Sequence, residues 1–167
     1  HRAGEVLLHG IDEVEGFGDL DVRVLGLESR KLRAHALGDV DFAGAAADYR
    51  ALLDDASAPR ALVLYRLADL ERRLGDDAAA VSRALEAARL FQRDGDPGQA
   101  SEALNLAARV EFTRANYTAA ARLLDEAIRL SSQGADWEHH AEQLGNLGSV
   151  YFFVGRYDDA ARVNALA

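Results

Sequence analysis

Residues 142–162 read EQLGNLGSVYFFVGRYDDAAR, and residues 102–122, forty positions earlier, read EALNLAARVEFTRANYTAAAR. Without a gap, Glu102 falls on Glu142, Leu104 on Leu144, Val110 on Val150 and Phe112 on Phe152. Tyr117 falls on Tyr157, Ala120 on Ala160 and Arg122 on Arg162. Another forty residues back, LVLYRLADLERRLGDDAAAVSRALEAARL (62–90) keeps Leu64, Ala68, Leu70, Gly75, Ala80, Ala87 and Leu90 at the corresponding places. A fixed period of this length marks an array of stacked supersecondary units.

Each unit divides into two amphipathic helices. In the first, apolar residues recur at three- and four-residue steps: Leu104, Ala107, Ala108, Val110 and Phe112, then Leu144, Leu147, Gly148, Val150 and Tyr151. That spacing is helical and not the alternation of a strand. A turn follows at LGDD, RANY or VGRY, and the second helix carries Ala120, Leu123, Leu124, Ala127 and Ile128. RDGDPG (93–98) and SSQGAD (131–136) close the units. Pro97 sits where a following helix starts, with Asp96 and Ser101 offering capping oxygens. Upstream, 41–59 reads as a second helix with Ala45, Tyr49 and Leu52 or Leu53 inward, its register open by one residue. Residues 20–37 are expected to form its first helix, and 3–19 the back half of an earlier unit, with Ala3, Leu7 and Ile11 inward.

Two glycines, Gly145 and Gly148, lie inside a helix, where each costs about 1 kcal/mol relative to alanine. One hairpin cannot bury its apolar faces alone, so neighbours must stack closely. Ala68, Ala108 and Gly148 share one place in the period, and Ala80, Ala120 and Ala160 another. A large side chain at such a crossing would cost roughly 1–3 kcal/mol, more than the glycine does. Gly75 and Gly155 are expected to end a helix in the left-handed conformation.

The bulk composition narrows the function. The chain has 167 residues, enough for one domain, and 49% are hydrophobic. No apolar run approaches the roughly 20 residues of a membrane span. There is no cysteine, which removes disulfides, thiolate ligands and a cysteine nucleophile. There is no methionine, so residue 1 is not an initiator and the chain reads as a piece of something longer. Lys31 is the only lysine, and with so much alanine this suggests a GC-rich bacterial genome. A net charge of −9 makes the segment a poor grip for phosphate backbones or anionic lipid. The acidic stretch Ile11–Asp21 reads as a solvated helix end that could also attract a basic partner.

Catalytic and metal chemistry find little support. His139 and His140 are adjacent and diverge by about 100° on a helix. His139 with Glu142 is a possible i, i+3 pair, but no second such pair accompanies it. GFGD (16–19) lacks the third glycine of a dinucleotide fingerprint, and DGDPG (94–98) reads as a turn and not a calcium loop. No catalytic residue, cofactor or metal ligand is therefore expected.

The last unit resembles a tetratricopeptide repeat, on Leu144, Leu147, Gly148, Tyr151, Gly155, Tyr157, Ala160 and Ala167. The preceding unit matches less fully: Ala108 stands for the glycine and Glu111 for the tyrosine. The unit before that has Asp77 where the aromatic belongs. The period is about 40 instead of the usual 34, similar to a longer variety in large bacterial regulators and scaffolds. The resemblance implies an all-α, right-handed α-α superhelix of about four hairpins forming a single domain over 1–167. Its units would be 1–19 (partial), 20–57, 58–96, 97–136 and 137–167.

It also implies a concave groove lined by first helices, holding a peptide, a helix or another domain. Groove positions carry over as four rows: Tyr65, Asn105 and Gly145; Asp69, Arg109 and Ser149; Arg72, Phe112 and Phe152; Arg73, Thr113 and Phe153. Amides would pair a peptide backbone and rings would take its apolar side chains. Phe112 and Phe152 are equally open to packing within the stack. The basic clamp with which some relatives hold a terminal carboxylate is not evident; only Arg72, Arg73 and Arg109 could substitute.

The expected function is a non-catalytic, cytoplasmic protein-interaction scaffold within a larger bacterial regulatory protein. The alternative is a sensory or autoinhibitory module that binds a small ligand or signalling peptide and controls an attached transcription activator, kinase or protease. Self-association through exposed repeat ends is a third possibility. No nucleic acid or membrane partner is expected.

Overall fold

The computed structural model of the chain describes residues 41–133 and 137–167. The partial unit at 1–19, the helix expected at 20–37 and the acidic Ile11–Asp21 stretch lie outside the described residues. The order is α1 (Phe42–Leu52), α2 (Arg60–Leu74), α3 (Asp77–Arg93), α4 (Pro97–Thr113), α5 (Tyr117–Ser131), α6 (Trp137–Phe153) and α7 (Tyr157–Asn164). The described residues contain no strand, and the helices form the expected repeat solenoid: three hairpins, α2–α3, α4–α5 and α6–α7, preceded by α1. No helix among the described residues is long and apolar enough to cross a membrane.

The three hairpin turns close alike. The backbone N–H groups of Asp76, Asn116 and Arg156 donate to the carbonyls of Glu71, Glu111 and Tyr151 at 2.9, 2.8 and 2.8 Å. That closure needs a left-handed residue just before the donor. Gly75 (φ 82°) and Gly155 (φ 78°) supply it as expected, and Ala115 (φ 58°) supplies it without being glycine. Asp96 caps α4, accepting from the Gln99 N–H at 2.9 Å, and Pro97 starts the helix. Ser101 does not share the capping; its hydroxyl donates to the Gly98 carbonyl at 2.8 Å.

The small residues lie where close approach requires them. Ala68, Ala80 and Ala120 are fully buried, Ala108 is 1% exposed and Ala160 5%. The core runs along the stack and not around a centre. Ala61, Leu64, Phe91, Ala103 and Leu104 join the α2–α3 and α4–α5 hairpins, and Ala108, Ala120, Leu124, Leu147 and Val150 join α4–α5 to α6. A fully buried leucine contributes about 1.5–3 kcal/mol, and Leu64, Leu67 and Leu70 on α2 are completely covered. In α1 the inward residues are Ala46, Tyr49 and Leu52, which resolves the open register; Ala45 and Leu53 are half-buried.

The helices are not equivalent across the array. First helices touch their counterparts: α2 meets α4, and α4 meets α6. Second helices stand further apart, leaving a gap of about 460 Å³ between α3 and α5, lined by Val81, Leu85, Ala119 and Arg122. A stack that is closer on one side than the other curves toward that side, so α2, α4 and α6 form the inner face.

Candidate functional site

The inner face carries its polar side chains on one side of each first helix. On α2, Asp69 accepts from Arg72 at 2.9 Å and from Arg73 at 2.8 Å. Burial pushes the Asp69 carboxyl upward, but the hydrogen bonds from Arg72 and Arg73 outweigh it and hold the group below its usual range. Arg73 also lies over the Phe42 ring, 5.5 Å from its centroid. Both arginines read as groove cations are thus engaged within α1 and α2. Beside them, burial pushes the Tyr65 hydroxyl up, with Glu102 and Asp69 adding to the rise.

Asn105 departs from its expected place as a groove ligand. It is 3% exposed, because it faces α6 and not the solvent. Its amide nitrogen donates to Glu142 at 3.2 Å, and its oxygen accepts from Asn146 at 2.9 Å. These bonds belong to a polar seam between α4 and α6. Gln143, fully buried, donates to Ser101 at 3.2 Å and to Glu102 at 3.3 Å. The two histidines diverge: His139 stands 3.7 Å from Glu102, not on Glu142, and His140 lies 2.8 Å from the Ser131 hydroxyl. Among the described residues no three His, Asp or Glu side chains converge as metal ligands.

Beyond the seam the same two helices open into a cleft of about 210 Å³. Its floor is apolar: Ala108, Leu124 and Val150. Its rim holds Arg109, Phe112 and Thr113 from α4 and Asn146 and Ser149 from α6. Arg109 and Ser149 are solvent-exposed. Arg109 makes no hydrogen bond or ion pair among the described residues, so its guanidinium is available at the cleft edge. Ser149 donates to the Gly145 carbonyl at 3.0 Å, leaving its oxygen free to accept.

Phe112 also starts a chain of rings along the turns. Its centroid lies 5.5 Å from Tyr117 and 5.1 Å from Phe153, and Phe153 stacks on Tyr117 at 5.9 Å. Phe152 contacts Phe153 at 6.1 Å and Tyr157 at 5.4 Å. Phe112 is half-buried in this cluster, so packing within the stack is part of its role. Phe152 and Phe153 are each 60% exposed and Tyr157 62%.

Of the ten residues expected at the groove, then, Arg109, Phe112 and Ser149 meet in one cleft, and Thr113 from the same rows joins them. Asp69, Arg72 and Arg73 form a separate network beside Tyr65, Asn105 belongs to the seam, and Phe152 and Phe153 extend the ring chain. Sequence reasoning missed Asn146, whose i, i+3 spacing to Ser149 was the available signal. It also missed Glu71, 1% exposed, which accepts from Arg50 at 3.0 Å and Arg83 at 2.7 Å.

Two solved structures share this fold. The crystal structure of MamA aligns with a TM-score of 0.61 at 23% identity, covering 78% of this chain and 68% of that one. The crystal structure of BtubC (BKLC) from P. vanneervenii aligns with a TM-score of 0.68 at 18% identity, covering 93% of this chain and 68% of that one. At these identities the likeness is one of fold. No family model matches the sequence, and no curated protein sequence matches it.

Proposed function

We propose that this segment is a tetratricopeptide-like, non-catalytic interaction module of a larger bacterial regulatory or scaffold protein in the cytoplasm. It holds a polypeptide against the inner face formed by α2, α4 and α6. The observation that carries this reading is the α4–α6 cleft: an apolar floor, an arginine at its edge that makes no hydrogen bond or ion pair among the described residues, and hydrogen-bond acceptors on the opposite rim. Small-molecule sites usually enclose about 300–1,000 Å³. A cleft of about 210 Å³ open to solvent suits one side chain of a longer ligand better, which favours a polypeptide over a small molecule at this cleft.

The test is affinity capture with wild type, Arg109→Glu and Arg122→Glu. Both variants change the net charge equally, but Arg122 lines the gap between second helices. Capture lost only with Arg109→Glu supports the inner face. Loss only with Arg122→Glu moves binding to the outer face and removes this reading.

A second contact mode draws on a different observation. The Phe152–Tyr157 pair repeats the Phe112–Tyr117 pair, at 5.4 Å and 66° against 5.5 Å and 62°. Phe153 contacts both rings of the earlier pair, whereas the Phe152–Tyr157 pair receives no ring from a following helix among the described residues. We infer that the Phe152–Tyr157 pair, like the Phe112–Tyr117 pair, receives a side chain from a packed neighbour, here a second copy of the chain. Light scattering over a concentration series should show a rising mass for wild type and a constant one for Phe152→Ala/Tyr157→Ala.

A further inference from the structure

Gly145 has no reason within the fold to be glycine. A Cβ built on it meets nothing within 4 Å among the described residues, unlike Gly148, where it would meet Asn164. Its φ is not positive, so its backbone conformation suits any residue. It lies inside α6, where glycine weakens a helix relative to alanine. It is half-buried on the strip that carries Ser149, whose hydroxyl donates to its carbonyl. The strip leads directly into the α4–α6 cleft. What a missing side chain provides there is room for something from outside to approach the helix backbone.

We propose that the occupant of this strip is an extended acidic segment of a partner polypeptide. One apolar side chain enters the cleft, a neighbouring Asp or Glu carboxylate meets Arg109, and the backbone lies against α6 over Gly145. This deepens, and rests on, the reading of the inner face as the binding face.

Three features select that chemistry. The cleft edge offers a positive charge, since Arg109 makes no hydrogen bond or ion pair among the described residues while Arg72 and Arg73 are held by Asp69. A guanidinium offers a planar fork of donors suited to a carboxylate. The α6 rim presents acceptors: the Ser149 oxygen, and the Asn146 amide oxygen, whose nitrogen is the atom bonded to Asn105. Backbone N–H groups of an extended chain can reach them. Finally, the floor of Ala108, Leu124 and Val150 is apolar and accepts one aliphatic or aromatic side chain. Of the carboxylates around the strip, Asp69 is engaged by Arg72 and Arg73, and Glu102 and Glu142 by Gln143 and Asn105. Glu102 and Glu142 disfavour a carboxylate beside them, so the acidic residue of the occupant points toward Arg109.

The test uses two fluorescein-labelled nonapeptides with a central Leu, one flanked by Asp and Glu and the other by Lys. Fluorescence anisotropy is measured with wild type, Gly145→Ala and Arg109→Gln. The acidic peptide should bind wild type and the basic one should not, and Arg109→Gln should weaken binding about tenfold or more. Gly145→Ala should melt about 2–4 °C higher yet bind the acidic peptide several-fold more weakly. A Gly145→Ala protein that is more stable and binds equally well overturns the role of Gly145. Preference for the basic peptide, or binding of neither while capture stays sensitive to Arg109→Glu, overturns the acidic segment but leaves the inner-face reading standing. Capture sensitive only to Arg122→Glu overturns both.

Discussion

The side-chain amide of Asn164 occupies the space that a methyl group on residue 148 would need. Leu124 and Ala84 hold the place of Asn164 in the two earlier units, and both are buried. There they face Ala108 and Ala68, and in the last unit the glycine makes way for a polar side chain. Gly148→Ala gains helix propensity, about 1 kcal/mol, but must displace Asn164. Its net effect on stability should stay below about 1 kcal/mol. Gly148→Ala/Asn164→Ala, with the obstruction removed, should gain the full amount. Urea denaturation of both variants checks this; equal midpoints would show that Asn164 imposes no cost.

Ala115 sits where Gly75 and Gly155 sit in the neighbouring turns, at the same positive φ. An L-residue there carries about 1–2 kcal/mol of strain, part of which glycine returns as lost chain entropy. Ala115→Gly should therefore stabilise the protein by roughly 1 kcal/mol and raise the melting temperature by about 2–4 °C. Gly75→Ala should do the reverse. Thermal unfolding followed by circular dichroism gives both values.

Glu71 joins three helices, bonding Arg50 of α1 and Arg83 of α3 from its own place on α2. The carboxylate is 1% exposed, but the arginines keep 46% and 29% of their side-chain exposure and can rehydrate. Glu71→Gln should cost about 1–3 kcal/mol, below the 3–5 kcal/mol typical of a fully buried pair. Arg50→Gln should cost less, since Arg83 remains. An unchanged urea midpoint for Glu71→Gln would remove the carboxylate from the list of elements holding α1.

Phe152 and Phe153 are equally exposed, yet only Phe153 contacts the rings of the preceding hairpin. Aromatic pairs contribute about 0.5–1.5 kcal/mol beyond their buried area. Phe153→Ala should destabilise the chain by roughly 1–2 kcal/mol and Phe152→Ala by less than about 1 kcal/mol. Similar losses in both would show that exposure, and not ring contact, sets the cost.

Asp69 supplies a pH dependence. Its folded carboxyl lies below the usual range, so it contributes stability above the unfolded value of about 4. That contribution is lost as pH falls through the folded value. Asp69→Asn should be less stable than wild type at pH 7, and the gap should narrow below about pH 4. A gap that does not change with pH would mean the arginines contribute nothing through the charge of Asp69.

The solenoid was legible because the period repeats the residues that closeness and turning demand: alanine at 80, 120 and 160, and glycine at 75 and 155. Much of the site was not. Arg72 and Arg73 stand at i+3 and i+4 from Asp69, a spacing that already foretold their capture. Asn105 turned toward α6 because its partners, Glu142 and Asn146, sit about forty residues away, a distance no local pattern spans. Gly145 and Gly148 look interchangeable on a helix, and only the position of α7 separates them. The burial of Glu71 required cations from helices on both sides of its own, so nothing within α2 announced it.

The joints of the array differ in kind. Between α2 and α4 the contact is greasy, made by Ala61, Leu64, Ala100 and Leu104. Between α4 and α6 it is latched by directional bonds from Gln143, Asn105 and Asn146. Oily surfaces tolerate small sliding, whereas a latch breaks when displaced by one helical turn, about 5.4 Å. Register along one array is thus held in two ways: by the shape of packed side chains alone at the first joint, and by packed side chains plus matched polar atoms at the second.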